Sequence, residues 1–307
     1  MKILVATEKP FAAAAVNGIK EIVEGAGHSF ALLEKYTDVD QFKKAVKDAD
    51  AVIVRSDNVT EEVVQAAKNL KIVVRAGAGY DNLDLNALSA SKIVAMNTPG
   101  QNSNAVAELA VSFMVYMSRN QFTPSTGSEL KGKTLGIQAY GNVGRLVASI
   151  AKGFGMNIIA FDPFVPADII KADGVEVASS LEELYSNSNF VSLHIPVTPQ
   201  TKCSIGYALM NRMPKGACLI NTARKEIMNE EELVKILSER KDLKYITDIA
   251  ADNQAELEDK FGKRVFATPK KMGAQTSEAN INAGLAAARQ ICDFFATGNN
   301  KFQLNKF

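Results

Sequence analysis

Histidine is almost missing from this chain. His28 and His194 are the only two in 307 residues, so chemistry that needs a histidine cluster, a three-histidine metal centre above all, has no material. Cysteine is nearly as scarce: Cys203, Cys218 and Cys292 lie far apart and form no C-x-x-C, which excludes a disulfide framework and a thiolate zinc site and fits a reducing compartment. No apolar stretch reaches the roughly 18 residues that a membrane helix needs, and the β-type run from Met1 to Thr7 is too short for the apolar part of a secretion signal. An excess of charge is missing as well. Thirty-five Lys and Arg stand against thirty-four Asp and Glu, a net charge of +1, so nothing global argues for nucleic acid or an acidic membrane as partner. Repeats, low-complexity tracts and charge blocks are absent too. These exclusions leave a protein expected to be cytoplasmic, with a small-molecule substrate and no metal.

What is present is an alternation of short aliphatic runs with longer helix-period segments, the pattern of βα units feeding parallel sheets. At roughly 100 to 200 residues per domain the length suggests two domains. Strands are expected near 2–7, 51–55, 72–75 and 93–97, and His28 is placed just before a further strand. The segment 102–119 is expected to be a helix, since Val106, Leu109, Ala110, Phe113 and Met117 recur at helical spacing, and the polar stretch 123–128 a loop. A second series follows at 133–137, 157–162, 190–195, 217–221, 245–249 and 265–268, six strands in a row. A last helix is expected over 275–297, and residues 302–305 must dock on a domain already made. The fold class is therefore α/β, with two Rossmann-like, doubly wound parallel sheets and a cleft between them.

The strand 134–138 runs into Ala139-Tyr140-Gly141-Asn142-Val143-Gly144 and then a helical segment, the context of a dinucleotide fingerprint. Ala139 replaces the first glycine, which is tolerable if its φ stays negative. Gly141 would let backbone approach a pyrophosphate and Gly144 would let helix and strand pack closely, with the helix N-terminus facing the phosphates. Eighteen residues past Gly144, Asp162 ends the next strand, where a carboxylate can accept both ribose hydroxyls and repel a 2′-phosphate. That favours NAD over NADP.

Five further segments complete the pattern: Val54-Arg55-Ser56, Val74 to Asn82, Met96-Asn97-Thr98-Pro99-Gly100, Ser192-Leu193-His194-Ile195-Pro196 and Asn221-Thr222-Ala223-Arg224. With them the chain resembles, over nearly its whole length, the D-isomer-specific 2-hydroxyacid dehydrogenases. Within that family it is most similar to the short branch that acts on 3-phospho-D-glycerate and lacks a C-terminal regulatory domain. The resemblance implies that backbone N–H groups of Gly77 and Ala78 hold the substrate carboxylate and that Arg224 clamps carboxylate and keto oxygen. It places Tyr140, Gly141, Asn142, Val143, Gly144, Asp162, His194, Pro196, Thr222, Ala223 and Asp248 along the cofactor. It also implies a substrate-binding domain of residues 1–98 completed by 284–307, an NAD-binding domain of 99–283, and a homodimer built on the NAD domains.

The residues carry some of these roles on chemical grounds alone. A 2-keto acid offers two adjacent acceptors to the planar fork of Arg224, which follows a strand whose carboxyl end faces the ligand crevice. Asn221 suits a turn cap as well as a place near the nicotinamide. Arg55 and Arg75 end neighbouring strands and suit a phosphate, with salt bridges to Asp57 or Asp81 as the rival reading. His194 sits where the family's adenine and ribose flank lies, so a role as base is not expected; His28 reads as surface and the cysteines as core filler.

The chain departs from the family at the chemistry. A histidine is expected after Thr268-Pro269, and a glutamate five residues after Asp248. Lys270 and Lys271 stand in the first place and Asn253 in the second, with Asp252 and Glu256 off register. Anchoring on Gly273-Ala274 puts Lys271 at the histidine, and anchoring on Thr268-Pro269 puts Lys270 there; loop lengths vary more easily before the glycine, which favours Lys271. Loss of both residues together is coherent. A carboxylate raises its partner's pKa, which helps a histidine near 6.5 and hinders a lysine near 10.4 that must exchange protons at neutral pH. The reaction expected is NAD-dependent oxidation of 3-phospho-D-glycerate to 3-phosphohydroxypyruvate, the first committed step of serine synthesis, and its reverse. The alternatives are a glyoxylate or hydroxypyruvate reductase, or a non-catalytic NADH-gated binding protein.

Overall fold

Strands form where aliphatic residues run together. Ala51-Val52-Ile53-Val54 is buried at every position, as is Phe190-Val191-Ser192-Leu193, because a parallel sheet covered on both faces leaves no position for polar alternation. The computed structural model describes all of residues 1–307, and contacts divide them into two units, Met1–Asn102 with Thr276–Phe307, and Ser103–Gln275.

The first unit holds a five-stranded sheet of β1 (Lys2–Thr7), β2 (Ser29–Glu34), β3 (Ala51–Val54), β4 (Ile72–Arg75) and β5 (Val94–Asn97), in the order β2-β1-β3-β4-β5. Every pairing is parallel. One face is closed by the helices Ala13–Gly25 and Ser277–Thr297, which share a core of Ile19, Val23, Ala283, Ala287 and Ile291. They approach closely enough that a Cβ on Gly18 would stand 2.6 Å from Leu285 Cδ2. A domain boundary at 283/284 would cut this second helix in its interior. The structure instead assigns it whole to the first unit, its start capped by Thr276 Oγ1, which accepts the Ala279 N–H at 3.1 Å. The expected return of the last residues is made along β5: Asn305 accepts from Ala95 N and donates to Ile93 O, both at 2.9 Å.

The second unit holds β6 (Thr134–Gln138), β7 (Asn157–Phe161), β8 (Glu176–Val177), β9 (Phe190–Leu193), β10 (Cys218–Asn221), β11 (Lys244–Thr247) and β12 (Val265–Ala267), in the order β12-β11-β10-β9-β6-β7-β8 and parallel throughout. The sheet therefore has seven strands where six are expected. The extra one, β8, is two residues long and leaves no periodic trace in sequence. The order reverses between β6 and β9, so the carboxyl ends of these strands flank a switch point, the ligand crevice of doubly wound sheets. The helix Ser103–Ser118 covers the sheet with Ala107, Ala110, Phe113, Met114 and Met117. The stretch 123–128 is the expected loop, tied back by Asn120 Nδ2 to Thr126 O at 2.9 Å. No helix of the chain is long and apolar enough to cross a membrane.

Candidate functional site

The turn after β6 is built by packing. Ala139 has a φ of +75°, not the negative value that would make alanine tolerable there. Its N–H donates to Phe161 O at 2.9 Å and its carbonyl oxygen lies where a Cβ on Gly144 would stand, 2.3 Å away, so strand and helix dictate the turn whether or not a Cβ is present. An L-residue in this region carries about 1–2 kcal/mol of strain. Gly141 caps the helix Asn142–Gly153, and a Cβ added to it would meet nothing within 4 Å. Gly141 and Asn142 are exposed, Val143 is half-buried and Gly144 is buried. Tyr140 gives its side chain to the core: its hydroxyl donates to Asp173 at 3.1 Å, and burial pushes its pKa up to about 12.

Asp162 ends at the loop as expected, but much of its carboxylate is already engaged. Oδ2 accepts the Tyr140 N–H at 2.7 Å, and Oδ1 accepts Phe164 N–H at 2.8 Å and Val165 N–H at 3.3 Å. With about four lone-pair positions on a carboxylate, roughly one acceptor direction is left. His194 pairs with Ser192 Oγ at 2.9 Å through Nε2, and burial pushes its pKa down to about 3. It is a neutral ring. Pro196, exposed, accepts Thr201 Oγ1 through its carbonyl at 2.6 Å.

At the ends of β10 and β11 two buried oxygens are left without a partner, Thr222 Oγ1 and Asp248 Oδ1. Such groups cost about 1–3 kcal/mol unless something satisfies them. Open space at Gly141, a helix N-terminus beside it, a carboxylate at Asp162 and these two orphaned acceptors together fit a dinucleotide that brings hydrogen-bond donors to Asp248. Asn221 is spent on the turn: Oδ1 accepts Ala223 N–H at 3.0 Å and Nδ2 donates to Arg224 O at 2.9 Å. That favours the capping role over one beside a nicotinamide. Arg224 is half-buried, with one nitrogen donating to Ala223 O at 2.8 Å.

The lysine loop hangs on Asp248. Thr268 Oγ1 donates to Asp248 O at 3.1 Å and to Lys270 O at 2.8 Å, while Asp248 Oδ2 accepts the N–H groups of Met272 at 3.2 Å and Gly273 at 2.6 Å. Burial raises the Asp248 pKa; the two N–H bonds and the Lys271 charge oppose that rise. Lys270 and Lys271 are both exposed, and the Lys271 charge bears on Asp248. The carboxylate on which the Lys271 charge acts is therefore Asp248 itself. At that place Asn253 Oδ1 is buried without a partner.

In the first unit Arg55 and Arg75 end adjacent strands, and Arg75 Nε donates to Arg55 O at 2.9 Å. Arg55 lies 5.9 Å over the Phe11 ring, and burial lowers its pKa. The rival partner Asp57 spends Oδ1 on Glu8 N and Tyr36 OH at 2.6 and 2.7 Å, while Oδ2 accepts the Arg55 backbone N–H at 3.4 Å and its charge bears on the Arg55 guanidinium. Gly77, at φ +144°, is packed by Arg75, whose guanidinium occupies the place of a Cβ. Its N–H does not stand ready for a carboxylate, since it donates to Thr98 Oγ1 at 2.6 Å, whereas Ala78 is held through its carbonyl, which accepts Asn97 Nδ2 at 2.6 Å. Asn97 and Thr98 shape this loop. They stand inside the segment Met96 to Gly100, but nothing in sequence says which backbone group a side chain at the end of β5 will meet. His28 is half-buried edge-on to Phe295, and Cys203 is exposed, not core.

Residues 104–270 match the family model of the D-isomer specific 2-hydroxyacid dehydrogenase, NAD binding domain. A D-3-phosphoglycerate dehydrogenase of Methanocaldococcus jannaschii is 36% identical over 271 residues, 82% of this chain and 51% of that protein. A hydroxypyruvate reductase of Thermotoga maritima is 34% identical over 277 residues, covering 84% of this chain and 88% of that one. The crystal structure of NAD+-bound 3-phosphoglycerate dehydrogenase from Entamoeba histolytica superposes with a TM-score of 0.88 at 51% identity, over 100% of this chain and 99% of that chain. The chain spans about half the length of the Methanocaldococcus relative.

Proposed function

The chain belongs to the D-isomer-specific 2-hydroxyacid dehydrogenases, and we propose that within them it oxidises 3-phospho-D-glycerate to 3-phosphohydroxypyruvate with NAD, and catalyses the reverse, at the entry to serine synthesis. The observation that carries the phosphorylated substrate is the pair Arg55 and Arg75. Two guanidiniums end adjacent strands, Arg55 meets an aromatic face, and Asp57 Oδ1 is committed to Glu8 N and Tyr36 OH. Such a pair suits a phosphate dianion, each charge-assisted contact contributing about 1.5–3 kcal/mol.

When bound, NAD supplies the hydride acceptor at its nicotinamide. Gly141 and the helix start at Asn142 would hold its pyrophosphate, Asp162 one ribose hydroxyl, and Asp248 and Thr222 the polar edge of the nicotinamide. Arg224 would clamp the carboxylate and C2 oxygen of the substrate, and Ala78 is the remaining backbone donor for that carboxylate. In oxidation the neutral Lys271 amine takes the C2 hydroxyl proton; in reduction its ammonium returns one to the oxygen at C2. Positioned proton transfer of this kind contributes typically about 10²–10⁴ in rate. Asp248 holds the loop that carries the lysine.

The deciding assay follows NADH consumption with 3-phosphohydroxypyruvate beside hydroxypyruvate, glyoxylate and pyruvate. Preference for the phosphorylated acid, lost in Arg55→Ala and Arg75→Ala through KM, is the expected result. Equal use of hydroxypyruvate favours the reductase reading, which the Thermotoga relative's coverage of 88% supports. No turnover on any of them leaves a binding protein. We also propose a homodimer through the second unit. Its helix Ser103–Ser118 opens an apolar groove of about 710 Å³ where Tyr116, Phe122, Phe154 and Phe266 meet, Phe122 being 68% exposed. A second copy of the same face would cover it.

A further inference from the structure

Apart from the residues assigned to cofactor and substrate, and next to Phe122 in the chain, the second unit carries a concavity of about 320 Å³ lined by Asn120, Thr123, Ser125, Lys244, Lys263 and Arg264. It lies at the amino-terminal end of the sheet, since Lys244 opens β11 while Asp248 follows the other end of the same strand. Three cations line it, no carboxylate does, and none of the three takes part in a salt bridge. Two of them are held in place by neutral oxygens, and Lys263 stands exposed at the rim. Lys244 Nζ donates to Met117 O at 3.1 Å and Asn120 Oδ1 at 3.4 Å, and Arg264 donates to Arg240 O at 3.2 Å and Leu243 O at 3.4 Å. Asp242, whose charge reaches Arg264, is gripped by Nε and Nη2 of Arg240 at 2.9 and 2.8 Å. A fourth cation adds to the field. Lys133 feels Lys244 strongly enough that burial and that neighbour together lower its pKa.

In a chain whose charges balance at thirty-five against thirty-four, these cations share one place whose lining holds no carboxylate. Neutral oxygen partners orient a cation without neutralising it, so the concavity keeps positive potential, and Lys244 and Arg264 keep a set position that lowers the ordering cost of binding. The Thr123 hydroxyl donates to Asn120 O at 2.8 Å, which leaves Ser125 as the hydroxyl beside the charges. We propose that this concavity is a second ligand site, which binds a small phosphate-bearing anion at the end of the sheet opposite the cofactor signature. Lysine, arginine and hydroxyl side chains around a hollow of this size match a phosphate or diphosphate group in charge and donor chemistry.

The test is calorimetric titration of inorganic pyrophosphate, at constant ionic strength, into the NADH-saturated protein, so that the cofactor's own phosphate site is filled. Wild type is compared with Lys263→Glu, Lys263→Arg and the double variant Arg55→Ala/Arg75→Ala. Saturable binding is expected in wild type, weakened about tenfold or more by Lys263→Glu, kept within about threefold by Lys263→Arg, and untouched by the double variant. An unchanged turnover number in Lys263→Glu confirms that this variant is folded. The proposal is overturned by any of three results: no saturable binding below about 10 mM, loss of binding only in the double variant, or wild-type affinity in Lys263→Glu.

Discussion

Asp248 combines two demands in one buried carboxylate: one oxygen holds the lysine loop through two N–H groups, and the other has no partner. Lys271 is the cation whose charge reaches it, so the two lysines separate experimentally. Lys271→Ala should lower kcat by about 10²-fold or more, while Lys270→Ala stays within a few-fold. The reverse pattern would move the proton carrier one residue back, and survival of both would exclude a lysine mechanism. Oxidation should rise through an alkaline lysine pKa, with no step near histidine's. His194 makes its own pH statement. Unfolded histidine titrates near 6.5 and this ring at about 3, so the native state binds fewer protons between those values. Stability from the neutral ring is whole above pH 6.5 and declines as pH falls toward 3. His194→Asn should flatten the fall of Tm with acid relative to wild type; parallel curves would show that the ring is not held neutral. At Ala139 the strain of about 1–2 kcal/mol exceeds the roughly 0.4–1 kcal/mol of chain entropy that glycine adds to the unfolded state. Ala139→Gly should therefore raise stability by up to about 1 kcal/mol in denaturant titration, and a loss would contradict the left-handed turn.

At the scale of elements, the meeting of β6 with the helix Asn142–Gly153 is the tightest joint of the cofactor signature. Gly144→Ala would place a methyl 2.3 Å from the Ala139 carbonyl, a backbone atom that cannot swing aside. Overpacking of this kind costs typically about 1–3 kcal/mol, and the displaced helix start should raise KM for NAD at the same time. Unchanged stability and KM would mean that the turn relaxes freely. Most elements were legible because fully buried parallel strands and amphipathic helices leave strong periodic traces. The two-residue β8 was not, since pairing of so short a run with β7 is decided by the sheet it joins. The boundary at 283/284 failed for a related reason: helix periodicity runs unbroken through it, and only packing of Ala283, Ala287 and Ile291 on Ile19 shows where the helix belongs.

For the whole molecule, the apolar groove beside Phe122 sets the expected assembly. Sedimentation equilibrium should give twice the chain mass, and Phe122→Asp, which places a charge on the exposed face without touching the core, should shift the population toward monomer. A monomeric wild type would leave that groove to another occupant. Composition, strand-and-helix alternation and the motifs around Gly141, Asp162, Arg224 and Arg55 determined, by themselves, the fold class, the family and the cofactor, because these depend on local pattern and on residue types with one chemistry. Tertiary structure alone decided which polar groups remain available. The Gly77 N–H is taken by Thr98, Asp162 is largely filled by backbone donors, and Asp248 and Thr222 are left open. A hydrogen bond formed across neighbouring strand ends depends on sheet order and register, which join residues far apart in the chain and leave no trace in the spacing of either.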